Sequence, residues 1–193
     1  MPAPDRTIEV RALTKTFGLN PVLRGLDLDV PRGEFLALLG PNGSGKTTLL
    51  RILGALARPT SGTVRVGGWE LPGEAEFVRA QLGVVSHLPL LYDTLTAEEN
   101  LLFFARIYNL PRETRRERVD TALRRVGLAR RARDVVATYS RGMQQRLAIA
   151  RAILHDPAVL LLDEPYTGLD QDAAALLDEL LHEVAIGGRT VIM

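Results

Sequence analysis

The chain has 193 residues, 46% apolar content and a formal net charge of +1, enough for one domain with a real core, or one domain with a small inserted lobe. That near-neutral balance sets up no global field demanding nucleic acid or a membrane, and the absence of cysteine excludes disulfides and thiolate metal sites. The short polar start, Met1 to Arg6, lacks the apolar core of a signal peptide, and the longest aliphatic run, Ala158 to Leu162, is too short to span a bilayer, so the chain reads as soluble on its own.

Thr7 to Leu13 alternates apolar and polar residues, the pattern of a half-buried strand. Val22 to Val30 predicts a second strand with Leu26, Leu28 and Val30 on one face, closed by the turn Pro31-Arg32-Gly33. Phe35 to Leu39 is continuously apolar, as expected of a strand buried on both faces. A helix is predicted from Lys46 to about Ala57, with Pro59 beyond its end, then a short strand Thr63 to Val66 between turns. From Val84 the texture changes. Thr96-Ala97-Glu98-Glu99 forms a capping box ahead of a helix that Pro111 stops. A second helix, about Arg112 to Val126, carries Val119, Leu123 and Val126 on one side, and a third runs from near Ser140 to before Pro157. Ala158 to Leu162 is another buried parallel strand, Asp172 to Ile186 a helix ended by Gly187-Gly188, and Thr190 to Met193 a further strand.

Gly40-Pro41-Asn42-Gly43-Ser44-Gly45-Lys46-Thr47-Thr48 fits G-x-x-x-x-G-K-[ST] between an apolar strand and a helix start, the context that makes the motif a phosphate cradle. Its glycines let backbone N–H groups turn inward, and the helix adds its positive dipole end. Lys46 would reach the β- and γ-phosphates and the Thr47 hydroxyl would ligate Mg²⁺. Asp163 and Glu164 follow a buried strand, at the edge where α/β sheets bind ligands. Asp163 would hold Mg²⁺ and Glu164 would act as general base on a water; the other reading of the pair is a helix cap. Ser140-Arg141-Gly142-Met143-Gln144 opens a helix with Ser140 as N-cap, and read alone it is a plain capped helix.

Taken in order, these motifs resemble the nucleotide-binding domain of ABC transporters over essentially the whole chain. The set comprises a Walker A loop (Gly40 to Thr48), a helical lobe, a signature-like Ser140 to Gln144, a Walker B (Leu160 to Glu164) and a D-loop-like Thr167-Gly168-Leu169-Asp170. The resemblance implies an α/β fold, a P-loop NTPase core with a mostly parallel sheet, a small antiparallel β subdomain and an inserted helical subdomain. It implies one domain, with core and β lobe over about 1–87 and 151–193 and the helical lobe over about 88–150. It implies an ATPase using ATP and Mg²⁺, with Lys46 and Glu164 in the reaction, Phe17 stacking on adenine, and a head-to-tail pair in which Ser140, Gly142 and Gln144 meet the partner's ATP. A transmembrane permease would hold the pair at the cytoplasmic face of the membrane, and no nucleic acid is expected.

Several residues depart from that family. Tyr139 stands for the signature's usual leucine and Arg141 for its first glycine, while His87 stands where a catalytic glutamine is usual. Gly83 to His87 and Leu91 to Leu101, with Glu164 to Asp170, are similar to the haem-exporter ATPase of cytochrome c maturation. The family's switch histidine would follow the strand begun at Thr190, and none of His87, His155 or His182 can take its place, so the expectation is ATP binding with weak or absent turnover. Finally, 112–133 holds nine arginines against Glu113, Glu117 and Asp120. A solvated helix face is the first reading and contact with anionic headgroups or a partner's loop the second; no aromatics interleave as single-stranded nucleic-acid binding would need.

Overall fold

The computed structural model describes residues 6–86 and 89–193. It divides into two compact units: the first takes Met1–Val84, Ala158–Asp163 and Val184–Met193, the second Val85–Pro157 and Glu164–Glu183.

The first unit contains two four-stranded sheets. In one, β1 (Arg6–Phe17) pairs antiparallel with β2 (Asn20–Pro31) and with β4 (Ser61–Val66), which pairs with β5 (Trp69–Leu71). In the other, β3 (Phe35–Leu36), β8 (Thr190–Ile192), β7 (Val159–Leu162) and β6 (Leu82–Val85) lie in that order, with β8 parallel to both neighbours. Helices α1 (Lys46–Leu53) and α2 (Ala75–Ala80) complete the unit. Its core is aliphatic, with Ile8, Leu13, Ile52, Leu53 and Leu161 all but inaccessible. The Thr190 hydroxyl ties the sheets: it donates to Thr7 Oγ1 at 3.1 Å and accepts from Gly33 N at 3.0 Å.

Three expectations change here. The run Phe35 to Leu39 is not buried on both faces: β3 lies at an edge of the described sheet, with Phe35 42% and Leu39 92% exposed. Apolar continuity signals burial only where both flanks are covered. The helix from Lys46 ends at Leu53 rather than near Ala57, because Gly54 closes it and Ala55 takes a left-handed φ of 54°. The strands β5 and β6 and helix α2 were not foreseen; each has six residues or fewer, too few for a period to show.

The second unit is built from α3 (Ala97–Ile107), α4 (Arg115–Arg125), α5 (Arg141–Ile153) and most of α6 (Gln171–Ile186). Leu101, Leu123, Leu128, Leu147 and Leu154 are among its most deeply buried large side chains. The capping box at α3 forms: Thr96 Oγ1 accepts from Glu99 N at 3.2 Å, and Glu99 Oε2 accepts from Thr96 N at 2.9 Å. Those bonds hold the Glu99 carboxyl below its ordinary pKa. The fully buried Asn100 amide is bound on all sides, accepting from Tyr92 N at 2.8 Å and donating to the carbonyls of Tyr92 and Thr96 at 3.0 Å.

Candidate functional site

The glycine loop closes in the first unit. Gly40, Gly43 and Gly45 have φ of 157°, 82° and 98°. A side chain at Gly45 would place its Cβ 2.9 Å from Leu23 Cδ2 and 3.2 Å from Val22 Cγ1, so only glycine both adopts this left-handed angle and lets the loop lie on β2 as it enters α1. No side chain caps α1, and no acid occupies its first turn; the free N–H groups of that turn are left for an anion. Lys46 Nζ curls back to donate to Gly40 O at 2.7 Å and Pro41 O at 3.0 Å. Those neutral carbonyls are weaker partners for an ammonium than phosphate oxygens. Pro41 and Asn42 are exposed at the loop's crest.

Behind the loop, Thr47 Oγ1 donates to Asp163 Oδ1 at 3.0 Å. Asp163 follows β7 and is buried to 8% exposure, so residues 116 apart share one point beside the loop. A hydroxyl and a carboxylate side by side are hard-oxygen ligands suited to Mg²⁺. No group of three or more His, Cys, Asp or Glu gathers among the described residues. A cation held there would draw its other ligands from phosphate and water. Thr48 is partly buried in the first turn of α1. Phe17 ends β1 at the hairpin tip, 53% exposed, with Lys15 Nζ over its ring, 4.8 Å from the ring centre; it is not a core residue, and half its surface is accessible to a partner.

Glu164 belongs to the second unit. It is exposed and sits at a left-handed φ of 51°, an angle rarely used by residues other than glycine, Asn and Asp. Asp163 and Glu164 do not cap α6: Asp170 does, accepting from Ala173 N at 2.8 Å. The Glu164 carboxylate accepts from Thr167 Oγ1 at 3.3 Å. The next residue, Pro165, is pinned from α5, where the buried Gln145 donates Nε2 to Pro165 O at 3.1 Å. Tyr166 OH donates to Asp178 Oδ1 at 2.5 Å, and burial, with that bond, pushes the phenol up to about 12. Three side-chain bonds thus fix the loop that carries Glu164.

Ser140 caps α5 by accepting from Met143 N at 3.3 Å. Gly142 lies against the loop of Gly168: a Cβ there would come 3.0 Å from Gly168 O. The stem of Arg141 covers Gly168, with Cγ and Cδ 3.2 Å from where a Cβ would stand. Tyr139 turns inward, donating to Arg131 O at 2.7 Å, and burial raises its pKa. A cavity of about 380 Å³ is lined by Pro89, Arg141, Gln144, Gln145, Glu164 and Thr167. Gln144 and Glu164 therefore face one space. His87 lies outside the described residues.

Gln145, Tyr166 and Thr167 were missed as site residues by the sequence reading. Gln145 carried a signal: it falls in register with the buried Ala148, Ile149 and Ala152 of α5, so a polar side chain stands in the apolar stripe and needs a partner.

Known proteins resemble this chain in sequence and in structure. The family model described as ABC transporter matches residues 23–167. The chain is 40% identical over 186 residues to the Nod factor export ATP-binding protein I of Ralstonia nicotianae, covering 96% of this chain and 58% of that protein. It is 40% identical over 189 residues to the daunorubicin resistance ATP-binding protein DrrA3 of Streptomyces coeruleorubidus, covering 98% and 60%. The chain thus spans about three fifths of the length of these curated relatives. Among solved structures, a dimeric post-hydrolysis state of the ATP-binding cassette MJ0796 bound to ADP and Pi superposes with a TM-score of 0.88 at 32% identity, covering 96% of this chain and 86% of that one.

Proposed function

The chain belongs to the ABC transporter family, and from that premise we propose that it is the ATP-binding and hydrolysing subunit of a membrane exporter. The observation that carries the reading is the joining of Thr47 to Asp163 directly behind a glycine loop that ends in Lys46. That is the donor set for a nucleotide's phosphates and their cation.

Loop N–H groups and the start of α1 orient the phosphates, and Lys46 exchanges its two loop carbonyls for β- and γ-phosphate oxygens. Thr47 and Asp163 would hold Mg²⁺, which would supply neutralisation of the phosphate charge. Glu164 accepts the proton of the water that attacks the γ-phosphorus, while the bond from that phosphorus to the β-phosphate's bridging oxygen breaks. The three anchors on its loop hold its carboxylate in place. Phe17 takes the adenine face. Ser140, Gly142 and Gln144, on the first turn of α5, are offered to the nucleotide of a second subunit; the dimeric ADP- and Pi-bound cassette supports such a pairing. His87 is proposed for the water-side position on its sequence place alone.

No helix among the described residues is long and apolar enough to cross a membrane, so coupling to transport calls for a permease that holds the chain at the membrane's cytoplasmic face. Relatives named for Nod factor export, daunorubicin resistance and linearmycin resistance support an exporter of organic compounds other than haem. The haem-export expectation draws no support from them.

The test is affinity purification of Glu164→Gln with MgATP from detergent-solubilised membranes, followed by mass spectrometry. Stoichiometric recovery of a multi-spanning protein is the expected result. Recovery of ribosomal or DNA-bound partners, or of no membrane protein, would overturn the transporter reading.

A further inference from the structure

One surface of the second unit is left unused by this mechanism. Residues 112–133 carry nine arginines, no lysine and three acids, a local charge of +6 in a chain whose total is +1. The rest of the chain is therefore net acidic by 5. Charge of one sign has been gathered on α4 and the turn that follows it.

Among the described residues, only two of these arginines meet a carboxylate: Arg125 pairs with Glu183, and Arg131 with Asp134. Arg115 donates to Leu110 O and Arg124 to Thr121 Oγ1. Arg112, Arg116, Arg118, Arg130 and Arg133 are exposed and form no ion pair among the described residues. Partners are close in sequence. Asp120 stands four residues after Arg116 and four before Arg124, spacings at which opposite charges meet on a helix, yet it bonds neither. A merely solvated face mixes Lys with Glu in such pairs. This one keeps guanidinium groups unneutralised. Guanidinium is weakly hydrated and binds phosphate oxygens in a fork. Beside them, a cavity of about 410 Å³ is lined by Arg118, Thr121 and Arg125 on one stripe of α4 and by Thr114 just before it, with Glu117 and Asp156 also at its wall. Donors predominate, and the carboxylates suit a headgroup that also carries hydroxyls or an ammonium.

We propose that the arginine-rich segment 112–133, α4 with the residues that flank it, docks directly on an anionic phospholipid bilayer, independently of any permease. Single-stranded nucleic acid is disfavoured because no aromatic side chain occurs in 112–133. The inference goes beyond the assignment as an exporter subunit and does not depend on it, since neither nucleotide nor permease is needed.

The experiment is flotation of the whole chain with vesicles of phosphatidylcholine alone, or containing about one third phosphatidylglycerol, at 0.1 and 0.5 M salt. The protein should float only with the anionic vesicles, and high salt should release it, since screening shortens to a few ångströms. An arginine near an anionic surface strengthens binding about fivefold, so Arg112→Gln, Arg116→Gln and Arg118→Gln together should lower partition about a hundredfold. The same three positions changed to Lys should retain most of it. Arg24→Gln, Arg32→Gln and Arg79→Gln, an equal change in net charge within the first unit, should leave partition unchanged. Equal partition to both vesicle types, no partition, or equal loss in the two triple variants would overturn the proposal. So would binding to duplex DNA at 0.1 M salt without binding to anionic vesicles, which would assign the face to nucleic acid.

Discussion

The two units solve the problem of holding a site in different ways. The first builds its loop from backbone, over an aliphatic core of sheets and two short helices: three glycines at positive φ, and a lysine resting on carbonyls. The second places Glu164 through side chains, with Gln145 reaching into the segment 164–167, Tyr166 reaching out of it to Asp178, Thr167 bonding within it, and a buried Asn100 bracing the turn before α3. The first arrangement is insensitive to small movements of side chains but intolerant of any Cβ at Gly45. The second depends on directional bonds whose partners must all be present. Where backbone makes the site, residue type is set by sterics; where side chains make it, by pairing.

The sharpest division between the units comes from cavity formation. Leu161→Ala, in the first unit's core, should cost about 2–5 kcal/mol. Denaturant titration measures that cost, and hydrogen exchange should show protection lost first in β1, β4 and β7. Loss confined to α3–α5 would break the comparison. Lys46→Ala should weaken nucleotide binding roughly a hundredfold, as expected when a charge-assisted contact is lost, while leaving the melting curve of the apo protein in place. Isothermal titration reads it. Asn100→Ala should cost about 1–3 kcal/mol through unsatisfied backbone groups around Tyr92 and Thr96, with exchange quickening in the second unit only. Thr96→Ala should cost about 1 kcal/mol of that unit's stability. The smallest effect is one of pH. Because Tyr166 is pushed up to about 12 in the folded chain, above its ordinary value of 10, its contribution is full below pH 10 and is lost as pH rises through about 12. Tyr166→Phe should flatten stability over that window alone.

The same division explains what could be read in advance. A glycine loop between an apolar strand and a helix is legible because its constraints are local: each glycine answers to its own φ. The joining of Thr47 to Asp163 was legible at one remove, through the apolar run that ends at Asp163. Tyr166 was opaque, because its partner, Asp178 Oδ1, lies 12 residues away and nothing local marks it; Gln145, polar in an apolar stripe, signalled a need for a partner but not that the partner, 20 residues on, is Pro165 O. Phe35 to Leu39 misled for a related reason: hydrophobicity reports what a segment can bury against, not which neighbours cover it. Tyr139 looked like a defect in a loop pattern and is instead a buried anchor to Arg131 O.

The left-handed backbone of Glu164 sets two selections against each other. At such an angle glycine is at ease, and replacing a strained residue by glycine can return of order 1 kcal/mol to the folded state. A library of this chain screened for heat tolerance alone should drift toward glycine or asparagine at 164, and one screened for ATP turnover should return glutamate. The residue proposed to take the proton is thus kept by work done, against the preference of the chain that carries it.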